Sequence, residues 1–226
     1  MLIESLAAAL GAPPEVVRPG RHPARRVGLA LDPWPGLADW ARADALDAVV
    51  LHRHWRWDPA GWPDGVALLA SHDPFDRRYA FGVVPELTTL LSLTPGPLIA
   101  ERDGWPLGTV GAGAARSVAA LRAALVDAFG GVDGEVAGAD VPATRVAMAR
   151  AMTPELVEGA ARLGATVYVT GQVRERAVGT ARRVGMHVLA VGHARSERWA
   201  LGLLAGALRA ALPAVAVRLA PDDAPG

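Results

Sequence analysis

The fold is decided by residues 166–211, which read TVYVT (166–170), GQ, VRERAVGTARRV (173–184), GM, HVLAV (187–191), GHAR and SERWALGLLAGALRAA (196–211). The two short pieces are β-branched apolar runs of strand length, and the two long ones have helical apolar spacing. A β-α-β-α order with short joints implies a largely parallel sheet with helices on both faces. Working outward, residues 134–137 and 144–148 read as strands, and residues 117–129 as a helix. Thr153-Pro154-Glu155 supplies an N-cap and a first-turn proline for a helix ending at Leu163. Residues 214–219 form a last strand, and the Pro/Asp/Gly-rich tail 220–226 is expected to fray.

The first half has the same grammar, less regularly written. Helices are expected over residues 1–10, 34–42 (entered through Pro35) and 85–93, and strands over 27–31, 47–51 and 66–70. Residues 59–64 read as a Pro/Gly/Trp-rich loop. Residues 94–114, dense in proline and glycine around short strands at 98–101 and 106–110, are the expected lobe boundary. No internal repeat is visible, and two α/β lobes of similar size do not require one.

Composition narrows the chemistry. The 226 residues are half apolar and a fifth charged, with formal net charge zero, which marks a folded globular chain and removes the electrostatic case for nucleic acid. Every basic side chain is arginine; lysine, asparagine and cysteine are absent. Schiff-base and P-loop lysines, thiolate nucleophiles, cysteine-ligated zinc and disulfides are therefore excluded. No apolar run reaches spanning length without a charge or proline, and the opening Met1-Leu2-Ile3-Glu4-Ser5 lacks a basic leader segment, so a cytoplasmic protein is the expectation. Gly111-Ala112-Gly113 falls short of a dinucleotide fingerprint, and no Gly-x-Ser-x-Gly elbow accompanies Ser71, Ser117 or Ser196.

What remains is imidazole and carboxylate at strand ends. His193 and Glu197 stand four apart in Gly192-His193-Ala194-Arg195-Ser196-Glu197, so a helix starting near His193 would place both on one face. His72 and Asp76 repeat that spacing, and His52-Arg53-His54 follows another apolar run. If the strand continued, His52 and His54 would face one way and Arg53 the other, with Trp55 and Trp57 extending the alternation and, with Trp62, walling a pocket. Strand ends at one sheet edge are where open α/β folds place their sites. Each feature also has a plainer use: a satisfied core histidine at 52 or 54, a capping histidine at 193, a turn at Asp73-Pro74, a turn glycine at 171, and tryptophans that pack or join subunits.

In combination these residues resemble the Ngg-interacting-factor-three-like family, also known as GTP cyclohydrolase I type 2 homologues or dinuclear-metal-centre hexameric proteins. The resemblance is carried by Gly192-His193-x-x-Ser196-Glu197 after Thr170-Gly171, by His72-x-x-x-Asp76, by Leu51-His52-Arg53 leading to Trp57, and by Pro106-Leu107-Gly108-Thr109-Val110-Gly111. These fall in the family's order from about residue 26 to residue 219. It implies a single unit, 1–226, of two similar α/β lobes with mostly parallel sheets flanked by helices, a metal cleft between them and no inserted domain. It also implies a toroidal homohexamer. The family's ligands fall on His52, Asp76, His193 and Glu197. Its second adjacent histidine falls on Arg53, with His54 the nearby substitute, so one or two divalent ions (Zn, Fe or Mn) per chain are expected, and fewer than two tightly held. His72 is assigned to the cleft lining. Gln172 and Arg176 stand where the family carries an acid and a histidine.

Imidazole and carboxylate suit these metals, an ion so held activates water for hydrolysis, and Arg53, Arg176 or Arg195 can engage an anionic substrate. The expected function is thus divalent-metal binding with hydrolase-like action on a small, nucleotide-like molecule. The alternative is a non-catalytic metal-binding or metal-delivery scaffold forming a ring. The sequence assigns no catalytic residue and no organic cofactor.

Overall fold

The computed structural model describes residues 1–79, 81–139 and 141–221. In chain order the elements begin α1 (Leu2–Leu10), β1 (Glu15–Arg18), β2 (Arg26–Ala30), α2 (Leu37–Ala43), β3 (Ala48–Leu51), β4 (Ala67–Ala70), α3 (Asp73–Tyr79), α4 (Pro85–Leu90), β5 (Leu98–Arg102) and β6 (Trp105–Arg116). There follow α5 (Val118–Phe129), β7 (Gly134–Val136), β8 (Ala143–Ala149), α6 (Pro154–Arg162), β9 (Val167–Thr170), α7 (Glu175–Arg183), β10 (His187–Ala190), α8 (His193–Ala211) and β11 (Ala216–Leu219). The chain divides into two compact units, Met1–Tyr79 with Arg198–Gly226, and Ala80–Glu197. Residues 94–114, expected to mark the lobe boundary, therefore lie inside the second unit. Their glycines serve close strand packing: a Cβ on Gly108 would meet the Met148 carbonyl oxygen, and one on Gly111 would meet the Leu93 side chain.

In the first unit the strand order is β1-β4-β3-β2-β11. Three of its four pairings are parallel, and only edge strand β1 runs antiparallel, against β4. The period of two shows in the core. Val27, Leu29, Ala48, Val50 and Leu69 pack with Leu6 and Leu10 of α1 and Leu201, Leu204 and Leu208 of α8. The intervening Ala30, Val49, Leu51 and Leu68 pack with Leu37 and Ala41 of α2. A sheet covered on both faces explains why these strands are continuous apolar runs.

The second sheet has the order β5-β6-β8-β9-β10-β7. Here β8, β9 and β10 are parallel, whereas β5, β6 and β7 all pair antiparallel, so the expectation of mostly parallel sheets holds for the first unit and gives way to a mixed sheet in the second. Central strand β9 is buried throughout. Its Tyr168 sits against Leu156 and Ala160 of α6 and Ala177 and Ala181 of α7, and its hydroxyl donates to the Ala151 carbonyl (2.6 Å). Burial pushes that phenol well above its ordinary pKa. The expected cap is formed, Thr153 Oγ1 accepting from Leu156 N (3.3 Å), and a further one, not read from the sequence, has Ser117 Oγ accepting from Ala120 N (3.2 Å) at the start of α5.

Two elements depart from the sequence reading. β1 is a four-residue edge strand whose burial does not alternate. The Asp73-Pro74 step, readable as a turn, opens helix α3, because proline is tolerated where a first-turn N–H has no partner. Of the tail expected to fray, Ala220 N donates to the Leu29 carbonyl (2.8 Å), while residues 222–226 lie outside the described residues.

Candidate metal centre

In the first unit the parallel pair β3–β4 ends in register, Leu51 opposite Ala70. The ladder carries a little further, with His52 N donating to the Ala30 carbonyl (3.0 Å) and Ser71 N to that of Leu51 (3.0 Å). The chain then turns into α3, where Asp76 N donates to the His72 carbonyl (2.9 Å). His72 and Asp76 consequently lie on one face of the first helical turn, directly beyond the strand end that carries His52.

The three side chains meet. Ligand atoms of His52, His72 and Asp76 lie within 4.8 Å of one another. His52 Nε2 is 3.5 Å from Asp76 Oδ1, and His72 Nε2 is 3.8 Å from Asp76 Oδ2. His52 is 2% exposed, wedged between the rings of Phe75 (4.7 Å, edge-on) and His72 (4.8 Å). His72 Nδ1 bonds Asp73 Oδ1 (2.7 Å). That bond leaves Nε2, on the Asp76 side of the ring, as the nitrogen that could ligate a cation. Ligands sharing one ion with bonds of about 2.0–2.2 Å lie within roughly 4.4 Å of one another, so only a small side-chain adjustment separates this cluster from a coordinating one. Two imidazoles and a carboxylate suit Zn, Fe or Mn. His72, assigned from sequence to the cleft lining, stands in the cluster that could hold an ion, its ligand atom within 4.8 Å of those of His52 and Asp76. The overlooked signal was Pro74, which reads equally as a helix-opening residue.

Arg53 is turned to Asp32: Nε donates to Oδ1 (2.7 Å) and Nη2 to Oδ2 (2.6 Å), a bidentate and largely buried pair. Asp32 thus offsets the charge that Arg53 brings to the position of a second adjacent histidine. His54 Nε2 lies 3.5 Å from Glu15 Oε1 on β1. The expected alternation through residues 52–57 is not formed, because β3 stops at Leu51 and the chain turns at Trp55 and Arg56. Trp57 and Trp62, edge-on at 5.6 Å, line a cleft of about 410 Å³ together with Trp34. Trp55 lies outside that cleft and meets His72 instead, with ring centroids 4.9 Å apart and the planes tilted at 53°.

The second unit carries the other predicted pair. α8 starts at His193, and His193 Nε2 stands 3.3 Å from Glu197 Oε1. Gly192 makes the joint with φ +102°, where a Cβ would collide with the Asp133 carboxylate; that carboxylate also pairs with Arg195. Ser196 Oγ donates to the His193 carbonyl (2.7 Å). Gln172 and Arg176 are exposed. Hydrogen bonds from the Glu155 backbone and from Thr153, with Arg176 adding charge, hold the Glu155 carboxyl below its ordinary range. No helix among the described residues is long and apolar enough to cross a membrane.

Comparison with known proteins follows the fold. The chain superposes on a protein titled ybgI, of unknown function (TM-score 0.77, 22% identity), covering 99% of this chain and 98% of that one. Reduced HcgD from Methanocaldococcus jannaschii is also similar (TM-score 0.71, 17% identity, 96% and 95% covered). TTHA1606 from Thermus thermophilus follows (TM-score 0.69, 20% identity, 98% of each chain covered). No curated protein matches the chain. Residues 63–224 match the family described as Duf34/NIF3 (NGG1p interacting factor 3). With two α/β units and most of its length inside that match, the chain belongs to the DUF34/NIF3 family.

Proposed function

We propose that His52, His72 and Asp76 hold a divalent ion (Zn, Fe or Mn) and that the protein acts as a metal-dependent hydrolase on a small, anionic, nucleotide-like molecule. The observation that carries this reading is the convergence of two imidazoles and a carboxylate, from the end of β3 and the first turn of α3, within 4.8 Å. A bound ion supplies Lewis acidity toward a phosphoryl or carbonyl oxygen. The protein's own part is to hold the donors in place. Burial against Phe75 fixes the His52 ring, Asp73 orients His72 so that Nε2 is its ligating atom, and Asp76 contributes the negative charge. The His193–Glu197 pair of the second unit offers two more donors of the same kinds, and a Glu197→Gln variant reads their contribution to ion number.

A second reading, a non-catalytic metal-binding or metal-delivery scaffold, is favoured by one observation. Arg53, tied to Asp32, stands where a second adjacent imidazole would complete a two-ion set. Self-association into a ring, the hexamer that the resemblance implies, belongs to both readings and is checked by light scattering. The half-exposed Leu98 and Trp105 of the β5–β6 edge hairpin support such association. Turnover of nucleotides and phosphoesters with added Mn or Zn, lost in Asp76→Asn, supports the enzyme. Stoichiometric ion binding without turnover of any of them supports the scaffold.

A further inference from the structure

A row of aromatic rings runs from the core of the first unit to its surface. Phe75 (3% exposed) meets His52 edge-on at 4.7 Å, His52 meets His72 at 4.8 Å, and His72 meets Trp55 at 4.9 Å. Phe75 and His52 are buried, His72 is partly exposed, and Trp55 at the end of the row is 66% exposed. Trp55 is more exposed than Trp105 (39%), and it stands against a side chain of the donor cluster. The indole meets His72 at a tilt of 53° and leaves 66% of the residue's surface exposed. A large aromatic surface left uncovered at the rim of a polar cluster is the arrangement that stacks a further ring. Arg56, the next residue, is exposed at the same turn and carries positive charge.

We propose that Trp55 is the stacking platform of the site: it takes the flat heteroaromatic ring of a small ligand whose polar end reaches His52, His72 and Asp76. This inference rests on the metal-site reading and adds to it the residue that recognises the planar ring of the anionic, nucleotide-like molecule proposed above. The indole selects by shape and π surface, and so tolerates different bases, whereas the donor cluster recognises the polar end.

The test uses the full-length chain with Mn²⁺ and two probes, adenosine 5′-monophosphate and ribose 5-phosphate, which differ by the ring. Ion affinity and probe affinity are measured separately by calorimetry on the wild type, Trp55→Ala and Trp55→Phe, with circular dichroism to confirm folding. The expected result is Mn²⁺ affinity changed less than about threefold in all three proteins. Adenosine monophosphate should bind about tenfold or more weakly to Trp55→Ala, and Trp55→Phe should recover most of that loss. Ribose 5-phosphate should bind more weakly than the nucleotide to the wild type and equally to all three. Failure of the wild type to bind Mn²⁺ would strike the metal-site reading. With Mn²⁺ bound, equal nucleotide affinity in wild type and Trp55→Ala, or no preference for the ring-bearing probe, including no binding of either, would overturn the platform.

Discussion

The two units build the same joint and fill it differently. In the first, β3 and β4 end with Leu51 opposite Ala70, and α3 begins three residues later, at Asp73. In the second, β9 and β10 end with Thr170 opposite Ala190, and α8 begins three residues later, at His193. Equivalent steps beyond the strands carry His52 in one and Gly171 in the other. The fourth helical residue is Asp76 in one and Ser196 in the other. Where Phe75 packs on His52, the second unit has Arg195 paired with Asp133. A Cβ on Gly171 would lie 2.9 Å from Ser196 Oγ, so these two positions of the second joint are filled by packing, and its donors, His193 and Glu197, both lie on α8. The sheet edge supplies a position; the residues at the joint decide which donors gather there, three of them within 4.8 Å in the first unit.

The largest effect that can break this comparison is on ion affinity. His52→Ala should weaken Mn²⁺ or Zn²⁺ binding by about 100-fold or more, because it removes the buried donor, as calorimetric titration reads directly. Next comes the joint of the second unit. Gly192→Ala should cost about 2–3 kcal/mol in denaturant unfolding, since its φ of +102° and the Asp133 carboxylate both exclude a side chain, while ion affinity stays unchanged. Asp32→Ala should cost about 1–2 kcal/mol by leaving Arg53 largely buried without its bidentate partner, discounted for the exposure that remains.

The smallest effect is at Glu155. Its folded pKa is lowered, so its contribution to stability is present above the unfolded value of 4.5 and is lost as pH falls through the folded value. Glu155→Gln should lower the melting temperature slightly at pH 7, and the difference from wild type should vanish in acid.

Most helices and strands were legible because continuous apolar runs and helical spacing signal sheets buried on both faces. His193 and Glu197 were legible as a pair because their spacing needs only a helix start near His193, and α8 starts there, three residues before the Ser196 expected. The grouping of His72 with His52 was not, since Asp73-Pro74 suits a turn and a helix start equally. Nor was the Asp32–Arg53 pair, which joins residues 21 apart through the tertiary fold. The expectation of a boundary at 94–114 arose because glycines that allow β6 to approach β8 and Leu93 resemble those of a linker.

The most direct measurement is elemental analysis of ion content per chain after purification without chelator, for the wild type, His52→Ala and Glu197→Gln. The account predicts about one ion in the wild type, one retained in Glu197→Gln and none in His52→Ala. An ion retained in His52→Ala, or two tightly held ions in the wild type, would contradict it.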